Sequence, residues 1–230
     1  MRIDYSGARP GSKSFVIRNS RITKSQKGAI EALSKDYLIS EKELNSSKDS
    51  FLSDQKELIL DIGFGSGESL LHLARNFSKK NFLGIEVYLS GIGSVLRQAD
   101  KEGLTNLKII NGDAREVLRN PSLDSKFNSV LFLFPDPWPK KRHNKRRLVK
   151  SEFIKELSKK VKTNGQVLFK SDWEQYFDES REAFLSNPMW LELKSKEFKD
   201  EFNDLPQTRF ERKAINSGRI INSSVFKRLA

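Results

Sequence analysis

"ELILDIGFGSGESLLHLARNF", residues 57 to 77, decides the fold. Leu58, Ile59 and Leu60 form the short continuous apolar run carried by a strand buried on both faces. Asp61 ends it, and glycines at 63, 65 and 67 turn the chain before Leu70, Leu71, Leu73, Ala74 and Phe77 set out a helical stripe. A strand, a glycine turn and a helix make half of a β-α-β unit, so a second buried strand is expected next. "NFLGIE" (81–86) supplies it.

The alternation continues. Ile92, Val95, Leu96 and Ala99 mark a helix ending at Gly103, "LKIINGD" a strand, "AREVL" a short helix and "SVLFLF" a strong strand. Phe153, Ile154, Leu157 and Val161 mark another helix, stopped by Asn164-Gly165, with "QVLFK" as the strand after it. The pattern predicts an α/β, Rossmann-like domain: a mostly parallel twisted sheet with helices on both faces. Upstream, Thr23 and Gln26 have capping-box spacing, and Ala29, Ile30, Leu33 and Tyr37 predict a helix from about Lys24 to Asp36. Residues 1–22 read as a basic, mobile arm, 40–55 as a polar linker, and 23–230 as a single domain.

The net charge is +12, with its excess in three segments. Residues 1–30 carry seven basic groups against one acidic, 138–150 seven against none, and 205–230 six against one, whereas 51–137 balances at ten against eleven. This points to a polyanionic partner. The absence of cysteine excludes disulfides, iron–sulfur clusters and thiol nucleophiles, and His72 and His143 are too few for most zinc sites, so no metal is expected. No apolar run approaches membrane-spanning length, and the first residues lack the apolar core of a secretion signal. A soluble cytoplasmic protein without a membrane partner is expected; monomer and homodimer stay open.

Parallel sheets bind ligands at the carboxyl ends of their strands. Asp61, Glu86, Asp113, Asp136 and Asp172 each fall at or just after such an end, which predicts five carboxylates on one crevice. Gly63, Gly65 and Gly67 bring bare backbone close to a ligand, but Asp61 and Glu68 on either side repel a diphosphate, and the glycine spacing differs from a dinucleotide fingerprint. A sulfonium and an ammonium fit better, which points to S-adenosyl-L-methionine. Glu86, nineteen residues after Gly67, has the interval of a ribose-binding acid, and Asp113 is placed to accept from an adenine amino group.

Beyond the fourth predicted strand runs "FPDPWPKKRHNKRRLVK" (134–150), seven basic residues with one acid, Asp136, ahead of them. Trp138 reads equally as a base-stacking ring and as packing that stiffens the loop.

With "DIGFGSGE" at 61–68, "GIEV" at 84–87, "GDA" at 112–114, "PDPWPKKRHNKRR" at 135–147, "SDWE" at 171–174 and "TRFE" at 208–211, the chain closely resembles the bacterial tRNA (guanine-N7)-methyltransferase family over about residues 15–213. The resemblance implies a class I methyltransferase fold and methyl transfer from S-adenosylmethionine to guanine N7 at position 46 of the tRNA variable loop, leaving S-adenosyl-L-homocysteine. It also implies roles. Asp61, Gly63, Gly65, Gly67, Glu86, Asp113, Ala114 and Asp136 would hold the cofactor, with Asp136 catalytic. Lys140, Asp172, Thr208, Arg209, Phe210 and Glu211 would face the tRNA, and Arg142, His143, Asn144, Lys145, Arg146 and Arg147 would contact RNA. The segment after Glu211 departs from the family's more apolar ending. The rival readings are a methyltransferase of another RNA or of protein, and a non-catalytic RNA-binding protein.

Overall fold

The computed structural model describes residues 22–46 and 50–230; of the basic arm at 1–22, all but the last residue lies outside the described residues. Strands β1 (Leu58–Ile62) and β2 (Asn81–Glu86) are buried along their whole length, as their unbroken apolar runs require. β3 (Leu107–Asn111), β4 (Phe127–Leu133) and β5 (Val161–Ser171) extend the parallel array. β6 (Trp190–Glu192) and β7 (Asn222–Arg228) complete a seven-stranded sheet in the order β3-β2-β1-β4-β5-β7-β6, with β7 antiparallel to both its neighbours.

Residue parity sorts the core onto the two faces. Ile59, Phe82, Leu131, Leu168 and Val225 pack under helices α1 (Lys24–Tyr37), α4 (Glu68–Asn76), α5 (Leu89–Lys101) and α9 (Asp200–Asn203). Leu58, Leu60, Ile85, Phe132 and Phe226 face α2 (Glu41–Ser46), α3 (Ser50–Ser53), α6 (Ala114–Val117), α7 (Ser151–Lys160) and α8 (Glu174–Leu185). α10 (Arg209–Asn216) precedes β7. The chain runs outward from β1 to β3 and then returns to place β4 beside β1, so β1 and β4 flank the switch point where such sheets take ligands.

Thr23 and Gln26 form the expected reciprocal capping box, at 3.2 and 2.9 Å. Two expectations are corrected. The segment 40–55 does not read through as a linker, because Leu44 of α2 and Leu52 of α3 are buried in the core with Phe51 packed against it; one or two apolar residues per short helix leave no periodic signal. Asn164-Gly165 does not stop a helix either. α7 ends at Lys160, and the pair forms an irregularity inside β5, with Asn164 left-handed (φ 65°) where the register against Phe127 and Ser129 shifts.

Gly93 lets α5 meet α1: a Cβ there would lie 2.6 Å from the carbonyl oxygen of Gln26. Gly93→Ala is therefore expected to destabilise the fold by about 1–3 kcal/mol. Gly28, within α1, has nothing within 4 Å of such a Cβ, and Gly28→Ala should add up to about 1 kcal/mol through helix propensity. Opposite shifts in denaturant midpoint check the pair.

Candidate active site

At the end of β1, Gly63, Gly65 and Gly67 all take left-handed backbone (φ 72°, 58° and 78°), where a side chain would be strained. The loop is tied to β2: Gly63 N–H donates to the Ile85 carbonyl at 2.8 Å, and Gly65 N–H donates to Glu86 Oε2 at 2.8 Å. Glu86 Oε1 accepts from the Val87 and Tyr88 N–H groups at 2.7 and 3.0 Å. Gly91 of α5 was not singled out by the sequence reading, yet a Cβ there would sit 2.0 Å from the Gly65 carbonyl oxygen. The signal was the pair of glycines, 91 and 93, interrupting the first turns of an amphipathic helix.

Asp61, 1 % exposed, has no hydrogen-bond partner for either carboxylate oxygen among the described residues. Burial first, and then the neighbouring Glu86 charge, pushes its pKa up to about 7. It borders a recess of about 350 Å³ shared with Gly63, Ser66, Glu68, Thr208 and Phe210. A larger cleft, about 820 Å³, adjoins it and is bounded by Gly65, Glu86, Tyr88, Ala114, Asp136 and Phe210. Glu86 also has a raised pKa: burial drives it, the three backbone N–H groups oppose it, and Asp136 adds to it.

The five carboxylates do not all line one crevice. Glu86 and Asp136 line the larger cleft, with Asp136 exposed at its lip, and Asp61 lines the adjoining recess. Asp113 is buried behind the wall, where it caps α6 by accepting from the Arg115 N–H at 3.0 Å; its neighbours Gly112 and Ala114 line the cleft instead. Asp172 lines neither cavity and pairs with Arg219 at 2.6 Å. Thr208 caps α10 by accepting from the Glu211 N–H at 3.1 Å, and Glu211 lies 3.6 Å from Lys170. Glu68 ties this helix to the glycine loop, accepting from the Arg209 N–H at 2.7 Å and from Arg212 at 3.1 Å. Phe210, 59 % exposed, borders both cavities.

The loop after β4 is held by unusual backbone: Phe134 (φ 57°) and Trp138 (φ 45°) are left-handed without being glycine. Lys140, Lys141, Arg142 and Lys145 are exposed on its outer side. Arg146 lies over the Trp138 indole, 4.9 Å from the ring centre, and His143 meets the same ring edge-on at 5.9 Å. Desolvation, and then the cations Arg142, Arg146, Lys140 and Lys145, lower the His143 pKa and favour the neutral ring. With its amide nitrogen facing inward, Asn144 donates to the Trp138 and Lys140 carbonyls at 2.9 and 3.1 Å, closing the loop. Arg147 corrects the expectation of an RNA contact: its side chain is 0 % exposed and so cannot reach a phosphate.

Among the described residues no cluster of three or more His, Asp or Glu side chains is arranged to hold a metal ion, and no helix is long and apolar enough to cross a membrane.

A parallel sheet reversing beside a glycine loop, with carboxylates at its strand ends, defines a Rossmann-like methyltransferase, and residues 55–223 match a family described as putative methyltransferase. The fold is shared with the 16S rRNA methyltransferase KamB (TM-score 0.56, 16 % identity, 84 % of this chain and 95 % of that one). It is shared too with a 16S rRNA adenine-N1 methyltransferase from Catenulisporales acidiphilia, solved with the cosubstrate SAM (TM-score 0.55, 11 % identity, 84 % and 92 %). In sequence, the chain is 40 % identical to the tRNA (guanine-N7)-methyltransferase of Nitrosococcus oceani over 94 % of this chain and 90 % of that protein. Against the enzyme of the same name from Buchnera aphidicola the identity is 42 %, over 94 % and 91 %. The chain belongs to the tRNA (guanine-N7)-methyltransferase family.

Asp61 carries a testable cost. The folded state holds its proton more tightly than the unfolded chain, whose value is near 3.8, so the penalty for ionising it accumulates from there to about pH 7 and is full above that. Asp61→Asn should therefore raise the melting temperature of the free protein more at pH 8 than at pH 4. The same variant should lose most affinity for S-adenosylhomocysteine by calorimetry.

Proposed function

We propose that this protein transfers a methyl group from S-adenosyl-L-methionine to N7 of the guanine at position 46 in the variable loop of tRNA, forming 7-methylguanosine and S-adenosyl-L-homocysteine in the cytoplasm. The observation that carries the reading is a pair of adjoining cavities, one bordered by the buried Asp61 and the other by Glu86 and Asp136, beside a loop whose outer side is Lys140, Lys141, Arg142 and Lys145. The activity of the curated relatives supports the choice of tRNA and of guanine N7.

The residues fit the donor. Asp61 needs a cationic partner that the described residues do not supply, and Glu86 with the glycine loop offers acceptors and bare backbone beside it. When bound, S-adenosylmethionine supplies a methyl group activated by its positive sulfur. Guanine N7 holds a free lone pair at neutral pH, so no side chain has to remove a proton first. The protein's part is to align the base, an effect worth roughly 7–11 kcal/mol where alignment is complete. Asp136 at the lip stabilises the positive charge that passes to the base. Asp172 and Glu211 would read the N1 and N2 hydrogens of guanine, their carboxylates already steered by Arg219 and Lys170. Phosphates would follow the exposed lysines and Arg142, which position the RNA without reading its sequence.

Purified protein incubated with radiolabelled S-adenosylmethionine and an unmodified tRNA transcript should yield labelled 7-methylguanosine on nucleoside analysis. A transcript with adenine at position 46 should stay unlabelled, and label elsewhere would redirect the assignment. Replacing Lys141, Arg142 and Lys145 together by Ala should weaken tRNA binding and lower the slope of log affinity against log salt by about 2–3. Affinity for S-adenosylhomocysteine should be unchanged.

A further inference from the structure

We infer that Arg147, the last basic residue of "KKRHNKRR" (140–147), is a positioning residue for the Asp136 loop and contributes nothing to the RNA footprint. The inference rests on the methyltransferase reading above. Lys140, Lys141, Arg142 and Lys145 are exposed, but Arg147 turns in. Its Nε–H donates to the Pro137 carbonyl at 2.8 Å, its Nη1 donates to Glu179 of α8 at 2.5 Å, and its guanidinium lies over the Tyr176 ring, 5.2 Å from the centre. Tyr176 is itself buried and accepts from the Val149 N–H at 3.1 Å, so the platform beneath the guanidinium is fixed to the chain just past the loop. From the other side, Arg115 donates to the Arg147 carbonyl at 2.6 Å.

The Pro137 carbonyl belongs to the peptide between the one acid of the loop and the left-handed Trp138. Two aromatic residues in left-handed backbone cost on the order of 1–3 kcal/mol each and persist only where the surroundings over-determine them. A buried guanidinium gripping the carbonyl between Asp136 and Trp138 is such a surrounding, and it needs two separate N–H vectors at once. Lysine keeps the charge but cannot reproduce the fork. The footprint of phosphate contacts therefore stops at Arg146, while Arg147, Tyr176 and Glu179 set where the Asp136 carboxylate stands.

A positioning residue and a phosphate contact have opposite signatures. Arg147→Lys and Glu179→Gln should each lower kcat about 10- to 100-fold, the loss expected when alignment slips by about an ångström. Direct tRNA binding, its salt slope and S-adenosylhomocysteine affinity should stay within about twofold of the parent protein, and combining the two changes should cost little more than either alone. Glu179→Gln decides the matter if Arg147→Lys does not fold, because Glu179 is half exposed on α8 and outside the basic run. The inference is overturned if the folded variants keep their kcat, or if tRNA affinity and the salt slope fall with kcat unchanged. Failure of the guanine N7 assignment would show instead in the nucleoside analysis of the parent protein and leaves this comparison readable on whichever RNA is methylated.

Discussion

The site depends on how closely the backbone at Gly65 is approached. Its N–H reaches the carboxylate that ends β2, its carbonyl leaves no room for a side chain at Gly91, and the Phe210 ring lies 3.8 Å from where its own Cβ would be. Strand, helix and a segment from far down the chain converge on one residue without a side chain. A side chain at Gly65 would be strained by its left-handed backbone, and one at Gly91 would push α5 away from the loop and with it the wall of the cleft.

Electrostatics makes the same site costly in isolation. Asp61 and Glu86 are both buried, the Glu86 charge raises the cost of ionising Asp61 and Asp136 that of ionising Glu86, and among the described residues Asp61 finds no donor to offset its desolvation. A core designed for stability alone would place an apolar residue at Asp61. Keeping an acid there makes sense when a cation completes the arrangement, the pattern expected where stability is yielded to binding. The outer face works in the opposite sense, with exposed lysines crowded along the loop after β4 and no acid interleaved.

Much of this was legible in the sequence. The five parallel strands, the helices between them and the glycine turn follow from local apolar runs, and the acids at 61, 86 and 136 follow from knowing which strand ends face a ligand. What escaped has a shared physical cause. β6 and β7 carry too few consecutive apolar residues to stand out, because their stability comes from pairing partners distant in the chain. α2 and α3 each rest on a single buried leucine. Arg147 was unreadable for the same reason, since nothing in "KKRHNKRR" distinguishes the residue that turns inward from those facing solvent. Asp113 and Asp172 were placed correctly along the chain, but their side chains answer to Arg115 and Arg219, contacts that no spacing reveals.

The position of β7 bears on how the protein is made. Among the described residues β6 pairs with no strand other than β7, and β7 slots between it and β5, so a strand made after the other six completes the sheet from within. While residues 222–228 are still inside the ribosome, β5 has a bare edge and Trp190 has no antiparallel neighbour. Five parallel strands can assemble as they emerge, but that edge stays open to intruding chains until residues 222–228 have emerged.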